Sequence, residues 1–141
     1  MTSDTDAIRH LVAESYRVIS GPAGPRDWSR QAELFIGAAT LRVIHHHGTG
    51  SRVETMSLRD YEMSRGPFFE RQAFFEREVH SDILVSGDIA HAMSAYESRW
   101  SLDEPPFETG VNSIQLVRFD GEWRIASIMW VAGSASKLIR S

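Results

Sequence analysis

The residues that could carry chemistry in this sequence are histidines, strand carboxylates, and a few tyrosine and carboxamide groups. His45, His46 and His47 are consecutive, and His80 and His91 stand apart from them. Imidazole ligates zinc and titrates near neutral pH, so metal binding and acid–base catalysis are the chemistries to weigh. In a strand, His45 and His47 project to one face and His46 to the other, so the three rings cannot surround one ion. A zinc site would need His45, His47 and a distant third ligand such as His80 or His91, and nothing in the sequence fixes that geometry. The expectation is therefore no metal, with the histidines solvated beside the Gly48-Thr49-Gly50 turn. His80 could serve as a general base; its ordinary role would be at a surface or interface.

Carboxylates are the next candidates. Asp27, Asp82 and Glu97 are the acids considered for a pocket. Asp27 precedes a helical stretch and reads as an N-cap. Asp82 and Glu97 sit in candidate strands, where each could point inward or outward. Glu97 and Arg99, at i and i+2, share a face, and an ion pair is the simpler account of them. No catalytic set is assigned.

Ligand-binding candidates are Trp28, Tyr96, Asn112 and Trp130. Tyr96 can bring a hydroxyl to a cavity, or pack as a core ring with its hydroxyl at the rim. Asn112 and Gln115 lie in an apolar strand, where a buried carboxamide needs a partner. Their odd offset puts them on opposite faces, Asn112 toward a pocket and Gln115 across an interface. Trp130, late in the last strand, would close a cavity mouth, and Trp28 would wall it from the helical side. Plain core packing is the simpler role for both rings.

These side chains depend on the elements that carry them. Ile8, Leu11, Val12, Ser15, Tyr16 and Ile19 follow a helical rhythm, Ser3 and Asp6 resemble a capping box, and Gly21-Pro22 ends the helix. A short helix is expected over Trp28–Phe35, and short strands over Ala39–Ile44 and Arg52–Met56. Ser57 and Asp60 introduce a helix over Leu58–Arg65 that Gly66-Pro67 stops. Phe68 onward reads as antiparallel sheet, with strands ending at Val85, over Ile89–Leu102, over Gly110–Phe119 and over Glu122–Val131. Turns at Ser86-Gly87-Asp88 and Asp120-Gly121 join them. The echo Phe68-Phe69-Glu70-Arg71 and Phe74-Phe75-Glu76-Arg77 is read as one amphipathic strand with both copies on the same faces. In Ala90–Trp100, neither face is cleanly apolar, so both would be covered. Helices at one end and antiparallel strands at the other make an α+β protein.

The chain has 141 residues, no cysteine, and 15 basic against 19 acidic residues, a net charge of −4. This length suits one domain. The missing cysteines exclude disulfides, thiolate zinc sites and a cysteine nucleophile. Mild acidity offers no basic surface for nucleic acid. The first twenty residues have neither the basic start nor the apolar run of a signal peptide, and no window reaches a membrane span of roughly 18 apolar residues. A cytoplasmic protein that engages neither nucleic acid nor membrane is the default. No nucleotide motif or nucleophile elbow appears.

Three segments carry a family resemblance: Asp27–Phe35 (DWSRQAELF), Val85–Ala90 (VSGDIA) and Phe119–Ile125 (FDGEWRI). With them the chain resembles the nuclear transport factor 2-like superfamily, which also includes ketosteroid isomerase, scytalone dehydratase and small polyketide cyclases. The resemblance spans about residues 4 to 132. It looks nearest to uncharacterised bacterial members with strands like Tyr96–Arg99 (YESR) and Val111–Leu116 (VNSIQL). It implies a cone: a curved mixed, mostly antiparallel sheet wrapped around the N-terminal helix, with two further short helices. It implies one domain over residues 1–132 with a tail at 133–141, a pocket between helices and sheet, and a homodimer through the outer sheet face. Ketosteroid isomerase sets an Asp base opposite a Tyr and a protonated Asp; that set cannot be laid on this chain residue by residue. A fold that hosts enzymes, binders and assembly domains assigns no reaction by itself.

With no acid–base pair visible, the reading is a domain that binds a small apolar or cyclic molecule. A small-molecule isomerase, dehydratase or cyclase is the alternative; it would be cofactor-free, since cysteine and metal motifs are missing. A noncatalytic dimerisation or protein-partner module is the third. An enzyme predicts a carboxylate or histidine facing a Tyr, Asn or Trp across a cavity of a few hundred Å³. A binding module predicts an apolar lining with polar groups at the rim.

Overall fold

A computed structural model describes residues 3–133 and 138–139. Most of the tail expected at 133–141 lies outside the described residues. Helix α1 (Asp4–Ile19) is capped by Ser3, whose hydroxyl accepts from the Asp6 amide, and it buries Ile8, Leu11, Val12, Tyr16 and Val18. A single 3₁₀ turn (Trp28–Arg30) runs into the short helix α2 (Gln31–Leu34). Then come β1 (Phe35–His47), β2 (Gly50–Ser57), α3 (Leu58–Arg71), β3 (Phe75–Ser86), β4 (Ile89–Arg99), β5 (Glu108–Phe119) and β6 (Glu122–Val131). The six strands form one sheet in the order β2-β1-β6-β5-β4-β3. Every pairing is antiparallel except β1 with β6, which is parallel. The architecture is the expected α+β one: a mostly antiparallel sheet with the helices on its inner face.

Several boundaries differ from the sequence reading. The strand expected to begin at Ala39 begins at Phe35, and the strand expected to reach Leu102 ends at Arg99. Gly66-Pro67 does not stop α3. Proline fixes a helical φ, so the helix passes through it at the loss of one backbone hydrogen bond. The last turn that results buries Phe69 against Trp28 and Phe74, with ring centroids 6.2 and 5.4 Å apart. The Phe-Phe-Glu-Arg echo is consequently no single strand. Its first copy lies in α3 and its second leads into β3.

The sequence Gly21–Arg26, glycine- and proline-rich, is tightly held. Gly21 and Phe74 exchange two backbone hydrogen bonds, of 2.8 and 3.0 Å, and the Gly24 amide donates to Phe69. The Arg26 guanidinium donates to the carbonyls of Ile19, Gly21, Pro22 and Gly24 and lies over the Phe69 ring. Gly21 and Gly24 have φ of 153° and 154°, which side chains rarely adopt.

The register sorts the inner face of the sheet into rows. Val85, Ala90, Leu116 and Ile125 make one, and Ile83, Ala92, Ile114 and Ile128 the next. Toward the other end come Ser81, Ser94 and Asn112, then Glu78, Tyr96 and Gly110, and last Glu76, Ser98 and Glu108. The face therefore changes from aliphatic to polar along β3, β4 and β5. Helix α1 covers its aliphatic end, with Ile8 and Val12 buried there. The N-terminus of α1 is tied down by Asp4, which accepts from Trp123 Nε1 at 3.1 Å and Arg118 Nη1 at 2.7 Å.

Candidate functional site

The polar end of the inner face opens into a cavity of about 490 Å³ between the sheet, α1 and α3. Its apolar wall includes Phe35, Leu41, Val43, Phe69, Phe74 and Ile128. Glu76, Ser98 and Glu108 line the side formed by β3, β4 and β5, together with Tyr96 and Asn112. Tyr16 enters from α1, Gln31 from α2 and Tyr61 from α3. A carboxylate, tyrosines and a carboxamide thus share one cavity.

Glu76 is the central group. It lies deep in the protein, half-buried by accessible surface because the cavity reaches it. Ser98 Oγ donates to its Oε2 at 2.7 Å. Loss of hydration raises its pKa to about 7; the Ser98 bond opposes the shift and the charge of Glu108 adds to it. Desolvation also raises Glu108. Neither carboxyl forms a salt bridge among the described residues.

A hydrogen-bonded chain crosses the neighbouring rows. Asn112 Nδ2 donates to the Tyr16 hydroxyl at 3.0 Å, the Tyr16 and Ser94 hydroxyls are 2.6 Å apart, and Ser94 donates to Glu78 at 2.5 Å. The one Ser94 proton goes to Glu78, so Tyr16 must donate to Ser94. Tyr16 thus accepts from Asn112, donates to Ser94 and keeps one lone pair. The hydroxyls of Tyr61 and Tyr96 have no hydrogen-bond partner among the described residues. Burial raises the pKa of all three tyrosines, keeping them neutral. Gln31 is 5% exposed, and its Oε1 is buried without a partner. Such orphaned polar groups are rare in a packed interior.

Gly110 makes room at this end. It pairs across the strands with Tyr96, and a Cβ at Gly110 would stand 2.4 Å from the Tyr96 hydroxyl. The tyrosine ring lies over the bare backbone.

Of the ligand-binding candidates, Tyr96, Asn112 and Trp130 line the cavity. Trp28 does not; it stands one layer behind, against Tyr61 and Phe69 at 6.1 and 6.2 Å between ring centroids. Asp27 is outside the cavity and caps the 3₁₀ turn, accepting from the Ser29 amide. Glu97 is on the outer face, paired with Arg77 and Arg99. Asp82 is also on the outer face, 3.4 Å from His80, so neither meets the cavity. Gln115 is exposed on the outer face, opposite in direction to Asn112. His91 donates or accepts at Ser113 Oγ, 3.0 Å away on that same outer face. Within the triple run, His45 shares the face of Leu41 and Val43, lines the cavity, and is bonded to Glu54 at 3.0 Å. Among the described residues no three His, Asp or Glu side chains converge as a metal site.

Glu76 and Glu108 were missed in sequence. In the sequence Glu76 lies within the repeated segment, and Glu108 precedes the strand expected at Gly110. The available signal was an acid inside an aromatic-rich run, Phe74-Phe75-Glu76.

No family model matches the sequence, and no curated protein is detectably similar to it. Solved structures are. A protein of unknown function with a cystatin-like fold from Nostoc punctiforme matches with a TM-score of 0.69 at 13% identity, over 92% of each chain. A nuclear transport factor 2-like protein from Cytophaga hutchinsonii matches with a TM-score of 0.69 at 14% identity, covering 93% of this chain and 99% of that one. Another, from Novosphingobium aromaticivorans, has a TM-score of 0.66 at 17% identity, covering 94% and 84%. This chain has the cystatin-like, nuclear transport factor 2-like fold. No helix among the described residues is long and apolar enough to cross a membrane.

Proposed function

We propose that the cavity binds a small, largely apolar molecule whose polar end meets Glu76, Tyr96 and Asn112. The observation that carries this reading is the buried, unpartnered Gln31 Oε1 on the wall of a cavity that the hydroxyls of Tyr61 and Tyr96 also share. A protein that merely packed its core would have no use for an unpartnered Gln31 and two free phenols there. The test is a thermal-shift screen of small cyclic compounds against the protein and an Ile128→Trp variant that fills the space. At a hundred times its Kd, a ligand stabilises by about 2.7 kcal/mol. Hits should stabilise the parent and not the variant. A screen without hits, or hits unaffected by the variant, would overturn the reading.

A second reading, proton transfer, is favoured by Glu76 itself. A carboxyl with a pKa of about 7 is half ionised near neutral pH, suited both to take a proton and to return it. It would remove a proton from a C–H beside a carbonyl, while the hydroxyls of Tyr61 or Tyr96 donate to the oxygen that gains charge. Returning that proton to a different carbon completes an isomerisation. The measurement is exchange of ligand C–H for C–D in D₂O, followed by NMR. Exchange should occur with the parent and be lost in Glu76→Gln; binding without exchange leaves a noncatalytic binder.

We further propose a homodimer through the outer sheet face. A row of Met93, Ser113 and Met129 crosses that face, beside Ala95 and Val111, with no helix over it among the described residues.

A further inference from the structure

We infer that the ligand of this cavity carries a protonated amine on an apolar body, held between the carboxyls of Glu76 and Glu108 and against aromatic faces. The inference rests on the binding reading above and names its ligand class.

Charge is the first argument. Glu76 and Glu108 occupy one row of the sheet on either side of Ser98. Two interstrand steps separate their backbones by roughly 10 Å. Both line the cavity, and neither has a cationic partner there. The cavity's Arg65 and His45 are committed elsewhere: both lie on Glu54, at 3.6 and 3.0 Å, and Arg65 also covers the Tyr61 ring. Two desolvated acids without a counter-charge are costly in the empty site, and a cation entering between them relieves that cost.

Hydrogen bonding is the second, independent argument. Gln31, nine-tenths buried and more, contributes an orphaned acceptor to the same cavity. Tyr16 adds an oxygen whose own proton is spent on Ser94. Gln31 Oε1 and the two carboxyls thus offer acceptors to an ammonium with up to three N–H groups, and the hydroxyl oxygens of Tyr61 and Tyr96 can accept as well.

Shape is the third. Tyr61 and Trp130 line the cavity with ring centroids 6.4 Å apart and planes inclined at 43°. They give the cavity an aromatic wall against which the apolar body can pack.

The test is calorimetric titration at about pH 8, above the pKa of about 7 of Glu76, with benzylamine, benzyl alcohol and benzoate as probes. Benzylamine should bind about tenfold or more tighter than benzyl alcohol, and benzoate should not bind. Glu76→Gln and Glu108→Gln should each weaken benzylamine by about tenfold, and by more than they weaken benzyl alcohol; equal losses for the two probes would overturn the amine. Comparing the three probes on the unaltered protein needs no variant, so a misfolded substitution does not decide the result. Benzyl alcohol or benzoate binding as tightly as benzylamine would overturn the amine while sparing the cavity. Failure of all three probes to bind overturns the amine, and the screen with Ile128→Trp then decides the cavity reading separately.

Discussion

Among single residues, Glu76 trades stability for a usable proton. Its folded pKa of about 7 lies above the ordinary carboxylate value of 4.5. Below about pH 4.5 both folded and unfolded chains hold this proton, and the group costs nothing. As pH rises, the unfolded chain releases the proton first, so stability falls until the folded group ionises too, near pH 7. A shift of that size corresponds to roughly 3 kcal/mol. Glu76→Gln should therefore stabilise the protein by about that amount above pH 7 and by almost nothing below pH 4.5. Urea denaturation at the two extremes checks it; a difference independent of pH would show that Glu76 is not desolvated. Trp123 is a second case. It is 6% exposed and its indole N–H reaches Asp4. Trp123→Ala should cost about 3–5 kcal/mol, and a loss under about 1 kcal/mol would mean the ring is no part of the core.

Pairs of elements decide what these residues can reach. β4 and β5 set Tyr96 opposite Gly110, and the missing Cβ gives the tyrosine its place. Gly110→Ala should cost about 1–3 kcal/mol and push the Tyr96 ring into the cavity. Denaturation together with near-UV circular dichroism would register it; an unchanged spectrum would contradict the close approach. The order of helices and strands was legible from capping residues and turn signals, such as Ser3, Ser57 and Asp120-Gly121. These act through neighbours in sequence. The site was less legible because it is made by register. Asn112 and Gln115 could be separated by parity alone, whereas Asp82 and Glu97 needed the pairing that turns them outward. Glu76, Ser98 and Glu108 become one row only through two strand pairings across about thirty positions of chain. The extent of α3 escaped for another reason: tertiary burial of Phe69 outweighed the local signal of Gly66-Pro67.

Taken whole, the molecule is polarised: an aliphatic core under α1 at one end of the sheet, a polar cavity at the other, and an uncovered outer face. If that face pairs two copies, sedimentation equilibrium should report a dimer, and Met93→Lys should give monomers while thermal stability of each protomer stays within about 0.5 kcal/mol of a surface substitution. A monomeric parent would contradict the pairing. The Gly21–Arg26 connection has a consequence of its own. By composition it invites cleavage, with two glycines, two prolines and an arginine in six residues. Its carbonyls are nevertheless gathered on one guanidinium and its backbone is stitched to Phe69 and Phe74. Proteases require an extended, detachable segment, so trypsin should spare Arg26 in the native protein and cut it only after α1 and β3 come apart, making this bond a reporter of their separation.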